Sequence, residues 1–243
     1  MGTCTVGYRF CALQSFRNKV GNPVIIVKNV YKRYTTKLGV SDWVLKDINL
    51  TIPKNVSVGI VGGNGAGKST LLRIIGGADY ATLGTVERQC RVSWPMGNGG
   101  VEATMTGRQN AKFICRVHGF EHDMEYRIKR IEEFADIGKY FDMPVNTYSA
   151  GMRSRLQFAL SLAFDFDVYI SDEVTSAGDA SFKAKAEKAF KDMVGKASII
   201  MVAHNDGMLK SFCQSGIFLY KGQATWYDKI DDALYAYKET IKV

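Results

Sequence analysis

The sequence has no apolar run long enough to cross a lipid bilayer. Its longest apolar stretches, such as residues 199–203, fall far short of the roughly 20 residues that a transmembrane helix needs. Residues 1–22 are interrupted by Arg9, Gln14 and Arg17, so they lack the continuous apolar segment of a secretory signal peptide. We expect residues 1–22 to be a poorly ordered N-terminal extension and residues 23–243 to form the functional domain.

Paired cysteines are absent as well. The five cysteines are scattered, odd in number and free of CxxC spacing, which argues for a reducing compartment and against a disulfide framework or a zinc site. The sequence also has no internal repeat and no low-complexity tract. The formal net charge of +8 suits a phosphate ligand, an anionic membrane surface or a nucleic acid, and it equally suits a mildly basic soluble protein.

The most informative segment that is present matches the phosphate-binding pattern G-x-x-x-x-G-K-[ST]. An apolar run at 56–61 precedes it and predicts a strand, and the apolar residues at 71–75 predict a helix after it. In this arrangement backbone N–H groups surround an anion, Lys68 reaches the β- and γ-phosphates, and the Ser69 hydroxyl binds Mg²⁺. The predicted phosphate-binding residues are Gly62, Gly63, Asn64, Gly65, Ala66, Gly67, Lys68, Ser69 and Thr70.

Hydrophobic periodicity predicts an α/β body interrupted by an all-helical insertion. A segment with three glycines and one proline, 95–100, predicts a flexible junction into the insertion, which we place at about 98–165. Further strands are expected at 24–30, 47–52, 84–88, 91–94, 168–171, 198–202 and 216–220. Further helices are expected at 106–118, 124–135, 149–164, 182–194, 208–212 and 231–242.

Polar residues follow two of the buried strands, where ligands of open α/β sheets gather. Asp172 and Glu173 follow the strand at 168–171; Asp172 is placed to hold Mg²⁺ and Glu173 to act as the general base. His204 follows the strand at 198–202 and is placed to contact the γ-phosphate and orient water. A solvated turn and a structural histidine are the alternatives.

A second helix start carries small residues. Ser149 is placed to cap the helix that follows it, whereas Ala150 and Gly151 leave backbone N–H groups open to an incoming phosphate.

Taken together, these segments resemble the nucleotide-binding subunits of ABC transporters over about residues 24–243. The run from Tyr148 to Met152 is similar to the family's LSGGQ signature loop, with Ala150 and Met152 as departures. Asp172 and Glu173 match the Walker B motif and the catalytic glutamate, and His204 matches the switch histidine. The segment 176–179, ending at Asp179, resembles the D-loop, with Gly178 where leucine is usual. Tyr34 falls where the family places an aromatic that stacks on adenine; the alternative is an ordinary strand-edge tyrosine.

The resemblance implies a P-loop NTPase fold with a RecA-like core, an antiparallel β subdomain and a helical subdomain. It implies ATP and Mg²⁺ as ligands, with Lys68, Glu173 and His204 as catalytic residues. It further implies a head-to-tail homodimer in which Ser149 and Gly151 of one subunit complete the partner's ATP site. The remaining partner is a membrane permease, against which residues 97–119 would dock at the cytoplasmic face of the bacterial inner membrane.

One family feature is missing. Many members carry a glutamine at the junction into the helical lobe, and residues 94–105 contain none. Asn98 and Glu102 are possible substitutes, whereas Gln109 lies too far into the helix.

The segments 93–97, 105–110, 148–155 and 75–78 are similar to the branch that exports lipid-linked polysaccharides, and most similar to capsular polysaccharide exporters. This resemblance implies the polysaccharide export machinery as a further partner. O-antigen exporters are an alternative within that branch. Two alternatives lie outside it: a soluble ABC-type ATPase acting on ribosomes or DNA, and a regulatory module that binds ATP without hydrolysis. The single phosphate loop disfavours the ribosome type, Glu173 disfavours the regulatory module, and we expect no nucleic-acid partner.

Overall fold

The computed structural model describes residues 23–37, 39–96, 100–172, 180–193, 196–203 and 205–241. Its strands are β1 (Pro23–Lys32), β2 (Thr35–Thr36), β3 (Gly39–Val40), β4 (Leu45–Pro53), β5 (Val58–Val61), β6 (Leu83–Arg88), β7 (Val92–Met96), β8 (Val168–Asp172), β9 (Ser198–Val202), β10 (Ser215–Tyr220) and β11 (Gln223–Tyr227). Its α-helices are α1 (Lys68–Ile75), α2 (Gly107–Val117), α3 (Met124–Ala135), α4 (Ala150–Leu162), α5 (Ala180–Met193), α6 (Asp206–Phe212) and α7 (Ile230–Ile241). Short 3-10 helices occur at Glu121–Asp123, Gly138–Asp142 and Val145–Thr147.

A six-stranded sheet forms the centre of the fold, in the order β11-β10-β5-β9-β8-β7. All its neighbours pair in parallel except β10 and β11, which form an antiparallel hairpin. Such parallel strands are covered on both faces, and β9 is accordingly buried throughout. The predicted α/β class is confirmed, and β9 and α3 have their predicted bounds.

Each face of this sheet has its own apolar core. On one face, Ile60 and Ile170 pack with Leu71 of α1 and with the antiparallel sheet β4-β1-β6. On the other face, Tyr169 and Met201 pack with Phe158 of α4 and with helices α5 to α7. Helices α2, α3 and α4 follow β7 and precede β8, so the central sheet resumes only after this helical lobe.

The C-terminus of α1 is held by the antiparallel sheet. Arg88, the last residue of β6, donates from Nε to the Ile75 carbonyl at 2.7 Å and from Nη2 to the Ile74 carbonyl. These carbonyls belong to the last turn, which has no intrahelical donor and carries the negative end of the helix dipole, so a guanidinium stabilises it.

Two sequence-based expectations need correction. Pro95 and Met96 are not part of a flexible junction: both lie in β7, buried, and they pair with Ile170 and Ser171. Proline is compatible with this position because β7 is an edge strand. Strand β11 was not expected from the sequence. Within the described residues, no helix combines the length and apolar character needed to cross a membrane.

Candidate functional site

The loop between β5 and α1 owes its path to glycines. Gly62 has φ +155°, and a Cβ added there would lie 2.3 Å from the Leu219 carbonyl oxygen of β10. Gly67 has φ +100° and forms the left-handed N-cap of α1. Because a side chain at Gly62 would collide with backbone, this glycine is required by the fold itself.

The loop places the positive charge of Lys68 next to the N-terminus of α1. Lys68 donates from Nζ to the carbonyls of Gly62 at 2.8 Å and Gly63 at 2.9 Å, which places its ammonium across the loop. The first N–H groups of α1 have no partner within the helix and lie at its positive end. The arrangement can therefore bind a phosphate chain.

Asp172 ends β8 at the same edge of the sheet as this loop. It is partly buried and pairs in register with Val202, at the end of β9, and β9 lies between β8 and β5. Two strand spacings place the Asp172 backbone on the order of 10 Å from the end of β5. The Asp172 carboxylate and the Ser69 hydroxyl are the hard oxygen donors that Mg²⁺ prefers, so these residues fit that ion.

Several predicted residues lie outside the described residues. Glu173, Asp179 and His204 belong to this group, as does Asn98. Their roles stay predictions.

The predicted adenine-stacking residue lies beside α1. The Tyr34 hydroxyl is 3.3 Å from Oγ1 of Thr70, which follows Ser69 in the first turn of α1. The same hydroxyl donates to Oδ2 of Asp79 at 3.1 Å. Tyr34 is partly exposed, so the structure brings an accessible aromatic ring together with the phosphate loop.

The sequence reasoning missed Asp79 and its partner Lys32. Lys32 lies two residues after the buried Val30, and it is itself only 8% exposed. The twofold period of a strand places both side chains on one face, so a lysine at an inward position was a usable signal for a buried charge with a partner.

The predicted signature loop lies at the start of α4, which packs on α3 and β7. Ser149 caps α4 as expected, because its Oγ accepts a hydrogen bond from the Met152 N–H at 3.2 Å. A Cβ added at Gly151 would meet only Ser149 Oγ, at 3.9 Å. No steric demand within the described residues explains the glycine at this position.

Glu102 and Gln109 lie in or near the segment 94–105, which lacks the family's glutamine, and both make local hydrogen bonds. Oε1 of Glu102 accepts from the backbone N–H and the hydroxyl of Thr104, and these bonds lower the pKa of the Glu102 carboxyl. Oε1 of Gln109 accepts from the Thr106 N–H, which completes a capping box at the start of α2.

Comparison with known proteins adds a second line of evidence. A family model described as "ABC transporter" matches residues 45–176. The polysialic acid transport ATP-binding protein KpsT of Escherichia coli is 44% identical over 220 residues, which cover 90% of this chain and all of that protein. The capsule polysaccharide export ATP-binding protein CtrD of Neisseria meningitidis is 40% identical over 213 residues, covering 86% of this chain and 96% of that protein. Among solved structures, a dimeric post-hydrolysis state of the ATP-binding cassette MJ0796 bound to ADP and Pi aligns with TM-score 0.69 and 22% identity, over 85% of this chain and 98% of that one, a likeness of fold.

Proposed function

This chain belongs to the ABC transporter family, and we propose that it is the ATP-hydrolysing subunit of a transporter that exports capsular polysaccharide. The observation that carries the proposal is the loop between β5 and α1, which glycines with positive φ shape and in which the Lys68 ammonium is bound to the Gly62 and Gly63 carbonyls. The relatives named for polysialic acid transport and capsule export support this substrate over O-antigen, and they support a transporter over an ATPase acting on ribosomes or DNA.

The chemistry follows from the residues at this sheet edge. The loop amides and Lys68 hold the triphosphate of ATP. Ser69 and Asp172 would hold Mg²⁺, and that ion would neutralise phosphate charge. Glu173 takes a proton from water as the water oxygen bonds to the γ-phosphorus, and the bond to the β–γ bridging oxygen breaks. His204 orients the water. ADP and phosphate are the products.

Single substitutions test these roles. Lys68→Ala should abolish ATP binding, because it removes the ammonium from the phosphate site. Glu173→Gln should keep ATP binding and stop turnover, because an amide cannot accept the proton. Both are measured with the purified chain, by ATP affinity and by phosphate release. If Glu173→Gln hydrolysed ATP at the rate of the unaltered protein, Glu173 would not be the base.

The site is completed by a second copy of the chain. The exposed start of α4 offers Ser149, open N–H groups and a glycine without an internal steric reason, which supports a head-to-tail dimer with ATP between the loop of one subunit and α4 of the other. Lys68→Ala and Gly151→Asp proteins should each be inactive alone. A mixture of the two proteins should contain dimers with one intact site, so ATP hydrolysis should return. If each site were built within one chain, the mixture would remain inactive.

A membrane permease is the other proposed partner, with the chain bound peripherally at the cytoplasmic face of the inner membrane. Phe113 and Val117 lie one turn apart on α2 and are 52% and 62% exposed, which gives the helical lobe an apolar docking surface. We expect co-purification with a membrane protein of about six helices and ATPase stimulation by its lipid-linked polymer. Stimulation of ATP hydrolysis by the capsular polymer would identify capsular polysaccharide as the substrate, and stimulation by O-antigen would identify O-antigen. Phe113→Ser should reduce stimulation, whereas Tyr235→Ser, on an exposed residue of α7, serves as the control.

A further inference from the structure

A nearly buried ion pair lies beneath Tyr34. The Lys32 ammonium donates to Oδ1 of Asp79 and to the Tyr80 carbonyl, both at 2.7 Å. The side chains of Lys32 and Asp79 are only 10% and 22% exposed. A charge pair this sheltered must hold its geometry, because either partner alone would be a poorly solvated ion.

The Tyr34 side chain is held from two directions. Its hydroxyl donates to Asp79 Oδ2 at 3.1 Å, contacts Thr70 Oγ1 at 3.3 Å and accepts from Arg73 Nη2 at 3.4 Å. The Lys32 ammonium lies 4.7 Å from the centroid of the Tyr34 ring, within the range of a cation–π interaction. The two oxygens of one carboxylate thus link the end of β1 to the aromatic ring beside the phosphate loop.

The Asp79 carboxylate is maintained in its ionised form. Burial raises the pKa of Asp79, but hydrogen bonds from Lys32, the Tyr80 N–H and Tyr34, together with the Lys32 charge, bring that pKa below its ordinary value. An ionised acceptor makes a stronger hydrogen bond to a phenol than a neutral one does. The Tyr34 ring is therefore fixed relative to Thr70 and the first turn of α1.

We propose that Asp79 is a positioning residue for nucleotide binding. It holds the Tyr34 ring at a fixed position relative to the phosphate loop, so that the base and the triphosphate of one nucleotide bind at the same time. This inference rests on the proposed function, in which Tyr34 stacks on adenine. Asp79 does not contact the nucleotide; it acts through the Tyr34 hydroxyl. It therefore contributes to the affinity for the base and not to the affinity for the phosphates.

The test compares ATP with inorganic tripolyphosphate, a ligand that has the phosphates and no base. Tyr34→Phe keeps the ring and removes only the hydroxyl, and Asp79→Asn removes the charge of the acceptor. Each variant of the full chain should bind Mg·ATP about three- to tenfold more weakly, the value of one hydrogen bond, and should bind tripolyphosphate as before. The double variant should lose less ATP affinity than the sum of the two single losses, because the Tyr34–Asp79 hydrogen bond is removed or weakened in both single variants.

The matched control is Glu87→Gln. Glu87 forms an ion pair with Lys28 on the same antiparallel sheet, but both side chains are about half exposed, so ATP affinity should not change. Equal losses for ATP and tripolyphosphate would overturn the inference, as would unchanged ATP affinity in Tyr34→Phe. Tyr34→Phe alone carries the test if Asp79→Asn does not fold. Wild-type protein that bound neither ligand would instead overturn the proposed function.

Discussion

Gly62, in the loop between β5 and α1, and Gly151, in the first turn of α4, occupy their positions for different reasons. In the loop that follows β5, Gly62 leaves no space for a side chain because the Leu219 carbonyl oxygen would lie 2.3 Å from its Cβ. At the start of α4, Gly151 has space, since its Cβ would meet only a hydroxyl at 3.9 Å. One glycine is a requirement of folding. The other fits a surface shaped for a group from outside the chain.

The largest expected effect is that of Gly62→Ala. The new methyl group would force the backbone of β10 and the loop apart at a position with φ +155°, so the free energy of unfolding should fall by about 1–3 kcal/mol and ATP hydrolysis should be lost. Thermal unfolding and phosphate release measure the two effects. Gly63→Ala is the control for stability, because its Cβ would have no neighbour within 4 Å. Equal melting temperatures for the two variants would contradict the collision.

Gly151→Asp should separate activity from stability. A carboxylate in the first turn of α4 interacts favourably with the helix dipole, so the melting temperature should stay level or rise. ATP hydrolysis should nevertheless fall more than tenfold, because the charge would face the partner's γ-phosphate. A variant with reduced stability and reduced activity together would remove the distinction between the two glycines.

Two N-cap residues of the helical lobe, Ser149 and Thr106, allow the structural and the functional role of the start of α4 to be separated. Ser149 caps α4 and Thr106 caps α2, each through a side-chain oxygen that accepts a backbone N–H. Replacing either residue with alanine should cost about 1 kcal/mol of unfolding free energy. Only Ser149→Ala should also lower the ATP hydrolysis rate of the dimer. Similar hydrolysis rates in both variants would argue that Ser149 is a cap and nothing more.

The smallest effect concerns the joint between core and helical lobe. The His118 ring lies 5.2 Å from that of Trp94 on β7, and partial desolvation by its neighbours lowers the pKa of this largely exposed histidine. A histidine with a lowered pKa stabilises the folded state above its ordinary pKa of about 6.5, and this contribution is lost as the pH falls towards the folded-state pKa. Chemical unfolding between pH 7.5 and 5 should show a decline that His118→Gln reduces. His122→Gln, on a side chain that is 74% exposed, should keep the wild-type slope.

The sequence predicted the central elements because their signals are local. The glycine pattern, the apolar runs before Asp172 and His204, and the cap at Ser149 can each be read within a few residues. The inward position of Lys32 indicates a buried partner, but that partner, Asp79, lies 47 residues away, so no local pattern identifies it.

Strand β11 was missed for a related reason. Its hairpin turn consists of Lys221 and Gly222, both with positive φ. Asparagine or aspartate before glycine is the usual signal for such a turn, and lysine at the first position gives a weaker one. The strand is also only partly buried, which weakens the hydrophobic period.

The bond from Arg88 to the end of α1 has a mechanical consequence. One guanidinium binds the last two carbonyls of α1, the helix whose first turn is proposed to bind the phosphates, so the end of this helix is tied to β6. The antiparallel sheet β4-β1-β6 and α1 are therefore linked at the C-terminal end of the helix. A phosphate chain bound at the first turn of α1 would therefore be connected, through the length of this helix, to the antiparallel sheet.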